Sequence, residues 1–234
     1  MDVLQVPDRD VLLGQDFKFR PQWWSSKVDH PKWSDWLGDL PKAEDGYHRI
    51  SRADLLDAAT AGQPDVLGRH LVAGYVWGTG PLAFLVGRRA RVFRDNSQQR
   101  ITEALHGAHA VLKQAGPVEA YRLMLRGGPH HLKFLGPSFF TKFLYAADSH
   151  NGEAGSALIL DRLVAMALNE VEGWTLTENG PWSPEQYGAW LEYAHHAAAT
   201  RSGMTGQPVR PDAIEYAMFK HGRTIYDARR ARRA

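Results

Sequence analysis

From residue 51 onward the chain is a succession of segments with apolar residues every three or four positions, opened by serine, aspartate or proline and closed by glycine. That punctuation restricts the fold more than any other feature, because a period near 3.6 with caps specifies helices and leaves little chain for a sheet. "SRADLLDAATAG" holds Ser51 and Asp54 in capping-box spacing and stops at Gly62. "QPDVLGRHLVAGYVWGTG" puts Pro64 in a first turn and Val66, Leu67, His70, Leu71 and Tyr75 at helical spacing. "SQQRITEALHGAHAVLKQAG" has Ser97 as N-cap, Ile101, Leu105, Ala108 and Leu112 on one face, and Gly116 as its stop. Pro117 then opens "PVEAYRLMLRGG", which closes at Gly127 and Gly128. "GPLAFLVGRRARVFRDN" fits either an extended run or a short helix followed by a basic turn, whereas "LDRLVAMALNEV", "SPEQYGAWLEYAHHAAATRSG" and "RPDAIEYAMFKHG" read as helices. About six to nine helices with short loops predict an all-α protein with at most minor extended structure, its helices forming two lobes around a cleft.

With 234 residues, 44% of them apolar, the chain can bury a real core. It has no cysteine, which excludes disulfides, thiolate zinc sites, cysteine-ligated iron-sulfur clusters and a cysteine nucleophile. The net charge is +2 but unevenly spread: residues 1–60 carry 11 acids against 8 bases, and residues 201–234 carry 8 bases against 3 acids. A basic end of this kind fits either a polyanion nearby or a solvated terminus. The start "MDVLQVPDRDVLLGQDF" lacks the basic and apolar regions of a signal peptide, and no window approaches the ~18 apolar residues of a span. A cytoplasmic monomer with no membrane contact is expected. Residues 1–44 carry Trp23, Trp24, Trp33 and Trp36 among prolines and polar residues, a pattern that fits rings capping a core or stacking on a ligand.

The chemistry concentrates in "HHLKFLGPSFFTKFLYAADS", read as two helices joined by a tight turn at Gly136 and Pro137. A helix start of this kind leaves N–H groups able to hold a phosphate. Phe139, Phe140, Phe143 and Leu144 give the second helix an apolar surface, with Lys142 among them in sequence. Lys142 either borders a cleft or lays its stem over apolar surface with the ammonium in water. In "SALILDRLVAMAL", Asp161 reads as the N-cap of the helix starting at Arg162, and a capping carboxylate can also present one oxygen to a cleft.

These residues resemble the helix-hairpin-helix DNA glycosylase superfamily, and within it the 8-oxoguanine DNA glycosylase-like bacterial branch. The resemblance is carried by "LKFLGPSFFTKFLYAADS" and "ALILDRLVA", residues 132–166, and more weakly by "HLVAGYVWGTG" and the C-terminal helices. It implies a helix-hairpin-helix glycosylase-like domain over residues 45–225 and does not account for the Trp-rich segment 1–44, which is expected to pack on that domain, with a basic tail at 226–234. It also implies an enzyme that flips a nucleotide out of double-stranded DNA and excises an oxidised or otherwise modified base, 8-oxoguanine foremost, with AP lyase activity and without a cofactor. On that basis Lys142 is the amine nucleophile at the sugar C1′ and Asp161 the carboxylate that assists it. Burial among Phe139, Phe140, Phe143 and Tyr145 would lower the lysine from its usual value of about 10.4. Lys133, Phe134, Leu135, Gly136 and Ser138 correspond to the DNA-phosphate anchor, and Trp182 and Trp190 are candidates for the base pocket, although Tyr187, Trp190 and Leu191 at helical spacing also read as core.

Two departures keep alternatives open. In many members the lysine lies two residues beyond the second hairpin glycine, which is Ser138 here, and Phe134 stands where the first glycine would be. The Ser138 register would leave a monofunctional enzyme in which Asp161 activates water. Beyond it stand a glycosylase for phage-type modified bases and a noncatalytic helix-hairpin-helix DNA-binding protein. A helical interaction module, with Lys142 and Asp161 only a surface base and a cap, is the remaining alternative. No metal site is expected: in His130–His131 and His195–His196 the adjacent side chains diverge by ~100° on a helix.

Overall fold

The computed structural model describes residues 4–57, 65–150 and 154–232. The N-terminal part comprises α1 (Arg9–Leu13), β1 (Asp16–Phe19), α2 (Pro21–Ser25), α3 (Pro31–Ser34), β2 (His48–Ser51) and α4 (Arg52–Asp57). β1 and β2 pair antiparallel, Asp16 opposite Ser51 and Phe19 opposite His48, and form the one sheet among the described residues. The expected Ser51–Asp54 reciprocity is present: the Asp54 N–H donates to Ser51 Oγ at 3.1 Å and the Ser51 N–H to Asp54 Oδ2 at 2.7 Å. The Gly62 stop and the Pro64 first turn lie outside the described residues.

The remainder is helical: α5 (Val66–Thr79), α6 (Ala83–Arg89), α7 (Arg91–Arg94), α8 (Gln98–Ala115), α9 (Pro117–Met124), α10 (Pro137–Ala147), α11 (Arg162–Val171), α12 (Pro184–Thr205) and α13 (Pro211–Ala231). The ambiguous stretch 80–96 thus resolves into α6 and α7. Ser97 caps α8 by accepting from the Arg100 N–H at 3.2 Å, and Ser183 with Gln186 closes a capping box on α12. Much of the basic terminal run belongs to α13, where Arg229 pairs with Glu178.

One hydrophobic core runs from the N-terminal part to α13 and includes Trp24, Trp33, Tyr75, Phe143, Trp190 and Met218. Trp23 and Trp36 pack against it half-buried. α5 lies at its centre, buried on nearly every side, which accounts for an almost uniformly apolar sequence in place of a one-sided stripe.

The stretch before Pro137 departs from the expected helix. α9 ends at Met124, and residues 125–136 run through turns closed by His130 N–H to Leu123 O at 3.0 Å, His131 N–H to Gly128 O at 3.2 Å and Leu135 N–H to Leu132 O at 3.2 Å. Gly127 at φ +92°, the close approach of Gly128 to the Leu123 carbonyl, and Pro129 together prevent a helix here. Arg100 of α8 secures these turns by donating to Pro129 O at 2.7 Å and His131 O at 3.0 Å.

Candidate active site

A cleft of about 820 Å³ opens between α5 and α6 on one side and the turn before Pro137, α10 and the start of α11 on the other. Its lining contains Lys142 and Asp161. Glycine in α5 gives Lys142 its place: a Cβ at Gly78 would lie 3.0 Å from Lys142 Cε and 3.0 Å from Phe139 Cε1, and one at Gly74 would lie 3.3 Å from Lys142 Cβ. Gly74 and Gly78 are one helical turn apart, so they present a single groove that takes the lysine stem. Lys142 is consequently 4% exposed, which excludes the solvated-lysine alternative.

At the end of that stem the Lys142 Nζ donates to Ser138 O at 2.8 Å and to Asp161 Oδ2 at 3.1 Å. It lies 5.9 Å from the ring centre of Trp77 and 5.7 Å from that of Phe139. Asp161 divides its oxygens as a cap beside a cleft can: Oδ1 accepts from the Leu163 and Val164 N–H groups at 3.0 and 3.3 Å, leaving Oδ2 for the lysine.

The partnership across 19 residues is held in register one position earlier. Thr141 Oγ1 accepts from the Leu160 N–H at 3.3 Å and lies 3.2 Å from the Leu160 carbonyl, so α10 and the extended segment before Asp161 are stitched side by side. That segment, Ala157 to Leu160, is buried and its carbonyls need donors. Tyr187 Oη supplies Leu158 O at 3.0 Å and Trp190 Nε1 supplies Ile159 O at 3.1 Å. Trp190 therefore does not face the cleft: it is fully buried and supports the backbone leading to Asp161. Trp182 is likewise in the core, 1% exposed, with Nε1 donating to Thr177 O at 2.8 Å and its carbonyl accepting from Tyr121 Oη at 2.9 Å. Neither tryptophan has a ring face free for a base.

Of the residues expected to anchor a DNA phosphate, Phe134, Gly136 and Ser138 line the cleft. Leu135 is buried and its N–H is taken by Leu132 O, so it is not available as an anion donor. The Lys133 backbone is clasped by Asn96, which accepts from its N–H at 3.1 Å and donates to its carbonyl at 3.0 Å. Phe134 adopts φ +66°, the conformation for which glycine is suited, and its carbonyl accepts from Tyr75 Oη at 3.0 Å.

The cleft lining carries the cations Arg88, Arg89, Lys142 and Arg162 against the acid Asp161, a balance that favours a polyanion. Arg89 is fixed by donation to Gly78 O at 2.9 Å and by the Phe139 ring, 4.9 Å away. Behind the lysine lies a second, closed charge cluster. Arg52 and Glu215 are fully buried and pair at 2.6 Å, and Arg52 also donates to Gln15 Oε1 at 2.7 and 3.1 Å. Its guanidinium lies 5.2 Å from the ring centre of Trp77, the indole that Lys142 also approaches. Burial pushes the Glu215 carboxyl up against the opposing pull of Arg52, and Asp161 adds to the rise. Burial disfavours the Arg52 cation, yet Glu215 and Tyr145 outweigh it and hold its pKa above the usual arginine value. Among the described residues no group of three or more His, Asp or Glu side chains is arranged to hold a metal ion.

Sequence reasoning missed Gly74, Gly78, Thr141, Asn96 and the Arg52–Glu215 pair. Only the one-turn spacing of the glycines, four residues apart in "GYVWG", offered a signal.

The sequence model of a family described as "Putative 8-oxoguanine DNA glycosylase OGG-like protein" matches residues 10–219. The matched span takes in the cleft residues from α5 to α11 and also the Trp-rich segment from residue 10. No curated protein and no solved structure matches the chain.

Proposed function

Because this chain belongs to the OGG-like 8-oxoguanine DNA glycosylase family, we propose that it excises an oxidised purine, 8-oxoguanine foremost, from double-stranded DNA, with Lys142 as the nucleophile. The observation that carries this reading is the 3.1 Å pair between Lys142 Nζ and Asp161 Oδ2 in a cation-lined cleft. Lys142 sheds a proton through Asp161 Oδ2, which passes it to the departing base and is again a carboxylate, and the lysine lone pair attacks C1′. The C1′–N bond breaks and its electron pair leaves with the base. The Asp161 carboxylate faces the positive charge that develops on the sugar, in a site whose buried walls keep that interaction strong. The nitrogen lone pair then breaks the C1′–O4′ bond, O4′ takes up a proton and the opened sugar is held as a Schiff base; loss of a proton from C2′ expels the 3′ phosphate, which makes the enzyme a lyase as well.

Ser138 is the competing position for the nucleophile. Its carbonyl accepts from Lys142 and fixes the ammonium end, a role that favours Lys142 as the reacting group. Borohydride trapping on an 8-oxoguanine duplex separates the two. A covalent adduct that survives Ser138→Ala and disappears in Lys142→Gln supports the proposal. An adduct retained in Lys142→Gln, or no base release from any lesion duplex, overturns it.

A further inference from the structure

We propose that Phe134, backed by Arg91, is a stacking platform for a purine base of the DNA, next to the nucleotide whose sugar faces Lys142. The inference rests on the DNA glycosylase reading of the cleft and adds a base contact on the hairpin itself.

The first observation is that Phe134 occupies an unfavourable conformation without being buried in the core. A bulky L-residue at φ +66° is strained, and such strain persists where the surrounding structure enforces it. Yet Phe134 is 47% exposed and its ring makes no ring–ring contact among the described residues. Core packing therefore does not explain an aromatic at this position.

The second observation is what the ring does touch. The Arg91 guanidinium lies 3.6 Å from the Phe134 ring centre, a face-on cation–π contact, and Arg91 Nε is itself held by Asp95 Oδ2 at 3.0 Å. The backbone beneath is pinned on both sides, by Asn96 on Lys133 and by Tyr75 Oη on the Phe134 carbonyl. The platform is thus ordered before any ligand arrives, so little freedom is lost on binding.

Its position and charge select the occupant. Phe134 lines the cleft that holds Lys142 and Asp161, among the cations Arg88, Arg89 and Arg162, so the ligand that reaches it is anionic and carries flat apolar faces. A nucleic-acid strand meets both conditions, and its bases stack on aromatic side chains. Arg91 on one face draws π density out of the ring, which strengthens stacking of an electron-rich purine on the other. The ring stands at the exposed rim while Lys142 is buried, so the base it meets belongs to a neighbouring nucleotide.

The test is binding to duplexes containing a tetrahydrofuran abasic-site analogue, with purines or pyrimidines on either flank. Phe134→Gly removes the ring and supplies the residue best suited to φ +66°, so its melting temperature should equal or exceed that of the parent. Affinity for the purine-flanked duplex should fall about tenfold. Phe134→Tyr should retain it, and the loss should shrink with pyrimidine flanks. Phe134→Gly binding within about twofold of the parent, Phe134→Tyr binding as weakly as Phe134→Gly, or a loss independent of the flanking base would overturn the proposal. Failure of the catalytic reading is distinguishable because the assay involves no chemistry: an intact Phe134 effect without borohydride adducts would remove the lysine mechanism and leave the platform standing.

Discussion

Lys142 and Asp161 hold each other through a division of labour within one carboxylate: Oδ2 meets the lysine at 3.1 Å while Oδ1 caps α11 through the N–H groups of Leu163 and Val164. The acid cannot swing away without uncapping a helix. The lysine is anchored in turn by the Ser138 carbonyl one turn back on its own helix.

That arrangement makes Asp161→Asn and Asp161→Ala informative as a pair. Both lose the ion pair, but asparagine caps about as well as aspartate, so alanine should be less stable by a further ~1 kcal/mol in urea denaturation. Base release should fall roughly 10²- to 10⁴-fold in both. Equal stabilities would mean that the cap contributes nothing, and unimpaired turnover in Asp161→Asn would remove the carboxylate from the mechanism.

Gly78→Ala probes the groove. Alanine raises helix propensity by up to about 1 kcal/mol, but its methyl would meet Lys142 Cε and Phe139 Cε1 at 3.0 Å. The lysine end is the flexible neighbour and should yield. Base release is expected to drop by tenfold or more, by analogy with the cost of small misplacements of reacting groups, while thermal stability changes little. Parent-like turnover would show that the groove does not position the amine.

The buried Arg52–Glu215 pair should be costly to break and easy to replace. Glu215→Gln leaves a fully buried guanidinium without its carboxylate, and a loss of about 3–5 kcal/mol is expected. The double change Arg52→Met with Glu215→Met should recover most of that loss, because two apolar side chains need no compensation. A double variant no more stable than Glu215→Gln would point to a packing role beyond charge.

His70 should impose a pH dependence on folding. It is 3% exposed, and burial, with a smaller contribution from His109, pushes it down to about 3. In the unfolded chain it titrates near 6.5. Between those values the unfolded state binds the extra proton, so stability is full above pH 6.5 and declines as pH falls toward 3. The slope from this one group is at most about 1.4 kcal/mol per pH unit. His70→Phe should flatten that part of the curve in denaturation series at stepped pH.

The helical plan was readable from local signals. Ser97, Gly116, Pro117 and Ser183 stand at helix ends because capping and the conformational limits of glycine and proline act within a few residues. The cap at Asp161 was readable for the same reason. The turns at 129–135 were not, since the hold of Arg100 on the Pro129 and His131 carbonyls is a contact between positions that no periodicity links. Trp182 and Trp190 read as either base-pocket or core residues because an indole reads alike whether its N–H serves a base or a buried carbonyl, and here the carbonyls of Thr177 and Ile159 claim them.

What the sequence by itself determined is the set of helices, an amine within one of them and a carboxylate at the start of another, all consequences of short-range chemistry. Only the tertiary structure decided that Lys142 is buried, that its stem runs in the groove of Gly74 and Gly78, and that Asp161 meets it across 19 residues through the Thr141–Leu160 register. Those contacts join α5, α10 and the start of α11, and a lysine enters a core only where another helix leaves it room and another chain segment supplies its counter-charge.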